Sequence, residues 1–383
     1  MEKIWVNLSD VLFFQEGPGV RNTQYTLEGV KLLNVANLVD GNIDLSTSER
    51  YISNEEAYGK YKHFLCDAGD FIVASSGIKV EYVDKKMGFV DESMLPLCMN
   101  TSTIRFKVID SDKLNIRYFM YYLKSHHFKE QLSKHITGSA QLNYGPSHLK
   151  KMSIPLLELK VQNVLIEKLD KVQAIIDLRR KEIQELDNLI KARFVEMFGD
   201  VINNPALPMV ELKNIAYIGS SKRIYASEYS ESGIPFYRSK EIRELGLGEK
   251  PSTELYITEE RYVDIKKKFG IPKLGDILIA AIGATIGYSW VVDTEEPFYY
   301  KDGNIINISV KSEVNCVFLN YVLQVLIADY KTKGAAGSAQ LALTIEKLEK
   351  MKVVYPDISL QNQFTDFVQQ IDKSKVVRLK RVS

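Results

Sequence analysis

The same short junction occurs twice in this chain of 383 residues. The five residues Gly138–Leu142, GSAQL, are repeated at Gly337–Leu341, and in both places a leucine, a lysine-methionine pair and a proline follow. A glutamine-asparagine pair comes next, at 162–163 and at 361–362, again 199 positions apart. A period of this length is far too long for a solenoid, so it indicates two domains of one kind in tandem.

Weaker landmarks support the duplication. WVNLSDVL at Trp5 resembles MVELKNIA at Met209, and AGDFIVASSG at Ala68 resembles LGDILIAAIG at Leu274. Each half opens with short apolar runs broken by Gly, Asn and Asp, which are typical of strands and turns. A helical pattern follows, at 116–136 and at its counterpart 316–333. We therefore predict an α+β fold for each half.

The residues after the first junction follow a heptad pattern. Apolar residues at spacings of four and three predict one helix from about Lys160 to Met197 that ends at Gly199. Its seam consists of Leu165, Leu169, Val172, Ile176, Ile183, Leu186 and Ile190, with one polar break at Arg179. A shorter seam follows the second junction, at Leu360, Phe364, Phe367 and Ile371. We expect these helices to pair as an antiparallel coiled coil.

These patterns divide the chain into four segments. We predict a first globular domain over 1–158, a long helix over 159–200, a second domain over 201–357 and a short helix over 358–383. The junction is repeated because each domain must pass the chain to a helix in the same way.

Composition excludes several classes of protein. The net charge of +1 gives no overall basic field that would indicate nucleic acid. Three widely spaced cysteines with no Cys-x-x-Cys pair fit a reduced chain and argue against zinc. The first residues, MEKIWVNLSD, do not form a signal peptide, and no apolar run is long enough to span a membrane. We therefore expect a cytoplasmic protein without a membrane segment.

No motif in the sequence predicts catalysis. The glycines of EGPGVRN, at 16–22, do not complete a dinucleotide-binding pattern. Ser-x-x-Lys occurs at 76–79 and 147–150 without the partner motifs that such enzymes carry. His126 and His127 would point in different directions on a helix, so we expect no metal there. The chain is more typical of a recognition or scaffolding component.

The order and spacing of these features resemble the specificity subunits of type I restriction-modification systems. LDNLIKARFVEMFGD, at 186–200, is similar to the central region of that family. LGDILIAAIGATIG, at 274–287, is similar to a strand and loop of its target-recognition domains. The second helix is shorter than is usual in the family, which is a departure from the pattern.

The resemblance implies a function and a set of partners. Each variable domain would be a target-recognition domain that reads one half of a bipartite, asymmetric site in double-stranded DNA, and the helices would set the spacer. The chain would have no catalytic activity and no cofactor of its own. It would bind two methyltransferase subunits that carry S-adenosylmethionine, and possibly two restriction subunits that use ATP and Mg²⁺.

We select candidate DNA-binding residues as polar side chains on loops, because such groups reach base edges and phosphates. In the first domain they are Ser75, Ser76, Lys79, Asn100, Thr101, Gln141, Asn143 and Tyr144. In the second they are Lys222, Arg223, Arg238, Lys240, Thr285, Lys301, Asn304 and Gln340. Gln141 and Gln340 belong to the shared junction, so they cannot account for different specificities. The competing interpretation is a coiled-coil adaptor with two protein-binding or glycan-binding domains.

Overall fold

The computed structural model describes residues 4–136, 142–203, 207–334 and 341–380. The chain divides into two compact units, residues 1–176 and 177–383. The predicted helix begins in the first unit and ends in the second, so the unit boundary lies within one element.

The first unit is built from short strands and helices. Its strands are β1 (Ile4–Asn7), β2 (Leu12–Glu16), β3 (Val30–Leu33), β4 (Leu38–Val39), β5 (Asn42–Ile43), β6 (Tyr51–Ile52), β7 (Phe71–Ala74), β8 (Ser76–Ile78), β9 (Met87–Phe89), β10 (Leu97–Met99), β11 (Thr103–Val108), β12 (Leu142–Asn143) and β13 (Ser153–Leu156). Its helices are α1 (Leu8–Val11), α2 (Asn54–Tyr58), α3 (Ile116–Lys124), α4 (His126–His135), α5 (Pro146–Leu149) and the start of α6 (Leu159–Phe198).

The second unit repeats the same kinds of element. Its strands are β14 (Met209–Glu211), β15 (Ala216–Ser220), β16 (Tyr229–Ser230), β17 (Ile234–Tyr237), β18 (Tyr256–Ile257), β19 (Ile277–Ala280), β20 (Ser289–Val291), β21 (Tyr299–Tyr300), β22 (Ile305–Val310) and β23 (Lys352–Val354). Its helices are the end of α6, α7 (Leu212–Ile215), α8 (Ser239–Gly246), α9 (Glu259–Phe269), α10 (Cys316–Gly334), α11 (Ile345–Glu349) and α12 (Ile358–Lys380).

The two units share one sheet topology, which confirms the α+β prediction and the duplication. Each has an antiparallel four-stranded sheet, in the order β2-β11-β7-β9 in the first unit and β15-β22-β19-β20 in the second. The central strands β7 and β19 are buried along their whole length, as their uninterrupted apolar sequences predict. In each unit the first strand also pairs with the last, β1 with β13 and β14 with β23.

A second, smaller sheet is also duplicated. β3 lies parallel to β10 and antiparallel to β6, and β17 lies parallel to β21 and antiparallel to β18. Gly29 and Gly233 enter these sheets with φ of 129° and 128°. A side chain at either glycine would collide with a backbone carbonyl of the neighbouring strand, so both the conformation and the close approach require glycine.

The helical pattern at 116–136 is interrupted in the structure. α3 and α4 meet at Ser125, whose hydroxyl accepts a hydrogen bond from the Phe128 N–H at 3.3 Å and caps α4. The apolar pattern is continuous across this break because both helices bury residues in the same core, for example Phe119 and Phe128 at 6.1 Å between ring centroids. Its counterpart, α10, is a single helix.

The long helix α6 matches the predicted bounds and ends before Gly199, which has φ of 72°. Its second half pairs with α12 in antiparallel orientation within the second unit. Phe364, near the start of α12, packs on Phe194 and Phe198, at 5.4 and 5.5 Å between centroids. Farther along α12, Lys375 forms an ion pair of 2.7 Å with Asp187, which lies farther back along α6.

The structure places the predicted seam residues in different environments. Ile190 and Phe364 are buried, and Leu360, Phe367 and Ile371 pack against the same core. In the first unit Leu165 packs against the domain core, whereas Leu169 and Val172 are 39% and 53% exposed. Ile176, Ile183 and Leu186 are half-buried.

The glutamine of each repeated glutamine-asparagine pair binds an asparagine about 47 residues earlier in the same unit, at 115 or 315. We term this the Asn–Gln contact, between Asn115 and Gln162 in the first unit and between Asn315 and Gln361 in the second. Gln162 Oε1 accepts from the Asn115 N–H, and Gln361 Oε1 accepts from the Asn315 N–H, both at 2.9 Å. Each glutamine also donates to a carbonyl just before its helix, that of Leu157 or Pro356, at 2.8 Å. The contact therefore joins each long helix to the start of the domain helix, α3 or α10.

A buried ion pair supports the first unit. Asp70 and Arg105 are 3% and 6% exposed, and Arg105 Nη1 lies 3.1 Å from Asp70 Oδ2. The guanidinium also donates to the carbonyls of His63 and Leu65, at 3.0 and 2.7 Å. It therefore connects the central sheet to the segment that precedes β7.

We predict that Gln361→Ala lowers the free energy of unfolding of the second unit by about 3 kcal/mol, because two buried backbone groups lose their partner. Urea denaturation followed by Trp290 fluorescence measures this, since Trp290 lies in that unit. Gln363→Ala is the matched control on an exposed position of α12, with an expected change within about 0.5 kcal/mol. Equal effects of the two substitutions would contradict the assigned role.

We also predict that Arg105→Met destabilises the first unit by about 3 kcal/mol, because it leaves the buried Asp70 carboxylate without its main partner. The control is Lys113→Met, which removes an exposed ion pair with Asp110 and should change stability by less than about 1 kcal/mol. Circular dichroism during thermal and urea unfolding gives both values. A loss for Arg105→Met no larger than that of the control would show that the pair is dispensable.

Candidate nucleic-acid interface

In the first unit, four chain segments meet at one end of the four-stranded sheet. The Gly17 N–H donates to the Thr103 carbonyl at 3.0 Å, and the Ser75 N–H donates to the Ser102 carbonyl at 2.8 Å. The Tyr144 N–H then donates to the Ser75 carbonyl at 3.0 Å. These bonds bring the loop after β7 together with the segment that follows the repeated junction.

The second unit repeats this arrangement. The Ala281 N–H donates to the Asn304 carbonyl at 2.8 Å, and the Leu343 N–H donates to the Ala281 carbonyl at 2.9 Å. Ser220 Oγ accepts from the Gly303 N–H at 3.3 Å. The segment after the junction therefore supports the loop after the central strand in both units. Gln141 and Gln340 lie outside the described residues.

The loop EGPGVRN belongs to this end of the first unit. A side chain at Gly17 would overlap the carbonyl group of Asn100, so only glycine permits this approach. Glu16, at the end of β2, is half-buried, and burial raises the pKa of its carboxyl. Glu16 is a residue that the sequence analysis did not select.

Three of the first-unit candidates are buried. Asn100 is 4% exposed, and its amide donates to Asn34 Oδ1 at 3.0 Å. Ser75 and Tyr144 are almost completely buried, and their hydroxyl groups have no hydrogen-bond partner among the described residues. These three side chains pack beneath the loops.

The other described first-unit candidates face solvent. Lys79, Thr101 and Asn143 are exposed, and Ser76 is half-exposed. Ser76 and Asn143 lie opposite each other where β8 pairs with β12, so two separate candidate segments form one surface.

A group of lysines beside this surface was not selected from the sequence. Lys85 and Lys86 join Lys79 around a concavity of about 540 Å³, which Tyr82 and Asp40 also line. The lysine pair precedes β9, and the 3₁₀-helical turn Val80–Lys85 connects it to Lys79. The signal in the sequence was the short run DKK, which resembles any solvated charge pair.

The second-unit candidates surround the equivalent end of their sheet. Lys222 and Arg223 are exposed, and Arg223 Nε donates to Asp302 Oδ2 at 2.8 Å. The Lys301 N–H donates to the Tyr237 carbonyl at 2.9 Å, and Asn304 is half-buried.

Arg238 and Lys240 lie at the start of α8. Arg238 Nη2 forms an ion pair of 2.9 Å with Glu241, which is completely buried, so this arginine has a structural partner. Lys240 is exposed.

The loop after β19 carries Thr285, whose hydroxyl donates to the Ile282 carbonyl at 3.4 Å. Two basic residues that were not selected from the sequence contact this loop from α8 and α10. Arg243 lies over the Tyr288 ring at 5.3 Å, and Lys331 donates to the Ile286 carbonyl at 3.1 Å.

Several kinds of chemistry are missing from the part of the chain that the structure describes. Within it, no group of three or more His, Cys, Asp or Glu side chains could hold a metal ion. Burial raises the pKa of the Cys66 and Cys98 thiols to about 12, so neither is a thiolate at neutral pH. No helix within the described ranges is long and apolar enough to cross a membrane.

Two curated relatives are similar to this chain in sequence. A type I restriction enzyme specificity subunit from Haemophilus influenzae is 27% identical over 268 residues, which are 68% of this chain and 65% of the relative. The MjaVIII specificity subunit of Methanocaldococcus jannaschii is 27% identical over 190 residues, which are 49% of this chain and 43% of the relative. The matched part spans less than two thirds of either relative.

Solved structures share the fold of this chain, and a family model identifies its family. A type I restriction-modification S subunit from M. genitalium superposes with a TM-score of 0.51 at 15% identity, covering 99% of this chain and 92% of the other. A chain from a study of complex assembly in a type I system gives 0.53 at 16% identity, covering 99% and 93%. The model described as the type I restriction modification DNA specificity domain matches residues 27–188 and 208–380, so the chain belongs to that family.

Proposed function

We propose that the chain is the sequence-specific DNA-binding subunit of a type I restriction-modification complex, in which each unit reads one half of a bipartite, asymmetric site. The observation that carries this proposal is that two equivalent sheets present loops with different side chains. The backbone contacts at Ser75 and Ala281 are the same, whereas Lys79 and Asn143 of the first unit correspond to Thr285 and Ala342 of the second. A common scaffold with different loops suits a protein that reads two different half-sites.

The charges of the loops support contact with DNA phosphates. Basic side chains lie at the loop end of each unit, among them Lys79 and Lys85 in the first and Lys222 and Lys240 in the second. Because the whole chain carries a net charge of only +1, few phosphates are neutralised and the isolated chain should bind DNA weakly. Partner subunits would then supply the remaining affinity.

The long helix supports a role in spacing and assembly. Its 40 residues extend about 60 Å at 1.5 Å per residue, long enough to set the separation of two half-sites. In the first unit the apolar residues Leu169, Val172 and Ile175 are exposed along it. We assign this surface to contact with methyltransferase subunits, two per complex. Those subunits carry S-adenosylmethionine, restriction subunits would carry ATP and Mg²⁺, and this chain performs no catalysis.

We predict that Lys85→Gln with Lys86→Gln weakens DNA binding by the complex with methyltransferase subunits. The slope of log K against log salt should fall by roughly two, because two phosphate contacts are lost. The control, Lys150→Gln with Lys151→Gln, removes the same charge next to Met152, whose carbonyl contacts Leu8 at the opposite end of the sheet. Equal slopes for the two variants would count against the lysine contacts.

A domain exchange tests the proposal as a whole. Replacing residues 1–150 by the matching segment of a related subunit should change one methylated half-site and preserve both the other half-site and the spacer, because both helices remain. Sequencing of methylated adenines in cells that carry the exchanged gene measures all three. A pattern in which both half-sites change would mean that the units do not read DNA independently.

A further inference from the structure

Equivalent positions in the two sheets hold different charges. Asp70 directly precedes β7, and Asp276 directly precedes β19. Arg105 of β11 lies opposite Ile72, and Asn307 of β22 lies opposite Leu278. The strand registers therefore place Asn307 where the first unit has Arg105, and Ser309 where it has Lys107.

In the first unit the buried aspartate is neutralised by two cations. Asp70 Oδ2 lies 3.1 Å from Arg105 Nη1, and Asp70 Oδ1 lies 3.1 Å from Lys107 Nζ. Arg105 Nη2 also donates to Gln15, on the edge strand β2. The arginine side chain thus occupies the space beside the carboxylate.

In the second unit the corresponding carboxylate accepts hydrogen bonds from neutral groups. Asp276 is 6% exposed, and its Oδ2 accepts from Asn307 Nδ2 at 3.2 Å and from the Lys273 N–H at 3.0 Å. Throughout the described ranges, no lysine or arginine nitrogen lies within 4.0 Å of this carboxylate. A buried carboxylate that lacks a cation is unfavourable, and a positively charged ligand would relieve it.

An open cleft takes the place of the missing arginine. Asn307, Ser309 and Gly219 replace Arg105, Lys107 and Gln15, so three long side chains become short ones. The cleft beside Asp276 has a volume of about 780 Å³. Asp276 thus faces a space large enough for an added side chain.

The lining of the cleft suits a planar cation. Tyr217 and Phe269, both at the cleft, are 70% and 55% exposed, and aromatic faces attract cations. Lys311 Nζ lies 5.3 Å from the Tyr217 ring centroid and Lys222 Nζ lies 5.1 Å from that of Phe269, so a guanidinium would take the place of one of these ammonium groups. Asn307 Oδ1 and Ser221 Oγ are buried and have no hydrogen-bond partner among the described residues, so both can accept N–H donors. Lys222 and Lys273 also line the cleft, but their side chains are exposed.

We propose that the cleft beside Asp276 binds the guanidinium group of an arginine, in the manner in which the first unit holds its own Arg105. The carboxylate would accept from the guanidinium, Asn307 Oδ1 would accept a further N–H, and an aromatic ring would cover one face. This inference concerns the second unit alone and does not depend on DNA binding.

Calorimetric titration of the full chain with L-arginine tests the proposal. L-Lysine at the same ionic strength is the control, because its compact ammonium cannot make the planar, forked contacts. We expect arginine to bind about tenfold more tightly than lysine or better. Equal heats for the two amino acids, or none for arginine, would overturn the proposal. N-acetyl-L-arginine amide identifies the source: binding indicates a side chain in a protein partner, and loss of binding indicates free arginine.

Two substitutions localise the effect. Asn307→Arg rebuilds the arrangement of the first unit, so it should raise the thermal midpoint and abolish arginine binding. Asp276→Asn keeps an acceptor for the Lys273 N–H but removes the charge, and should weaken arginine binding about tenfold or more. Circular dichroism verifies that each variant is folded. Arginine binding that persists in either folded variant would place the ligand elsewhere and refute the assignment.

Discussion

The Asn–Gln contact is the interaction on which the architecture of both units depends. A helix as long as α6 or α12 cannot be positioned by its own hydrogen bonds, because these lie within the helix. Gln162 and Gln361 supply the missing contacts through their buried side-chain amides, whose oxygen accepts one hydrogen bond and whose nitrogen donates another. One end holds the start of α3 or α10, and the other holds the carbonyl just before the long helix. The direction in which each helix leaves its domain is set there.

This attachment leaves the rest of each unit free to vary. The four-stranded sheets of the two units have the same order, but the loops beside them carry different side chains, for example Tyr144 where the second unit has Leu343 and Lys79 where it has Thr285. The differences extend into the interior. The first unit has a buried ion pair between Arg105 and Asp70, whereas the second unit has the neutral Asn307 in the position of Arg105. Conservation of backbone contacts with exchange of side chains is what a pair of related binding modules requires.

Local patterns predicted the elements better than they predicted the interface. The bounds of α6, the two central strands and the duplication follow from spacings that local chain geometry dictates, so the sequence contained them. The burial of Asn100 depends on Asn34, which lies 66 residues earlier, and no local pattern reports such a contact. The lysines at 85 and 86 joined the candidate surface only because a turn brings them to Lys79. The break between α3 and α4 at Ser125 could not be predicted from the apolar pattern, because both helices pack on the same core and the pattern continues across it.

The pairing of the first strand with the last in each unit has a consequence for how such chains change. Because β1 lies against β13 and β14 against β23, the points where the chain enters and leaves each domain are side by side. A domain with adjacent termini can be cut out, replaced or circularly permuted with little disturbance to its surroundings. Either unit is therefore suited to exchange as one continuous segment, as long as the residues that pack against α6 and α12 are kept.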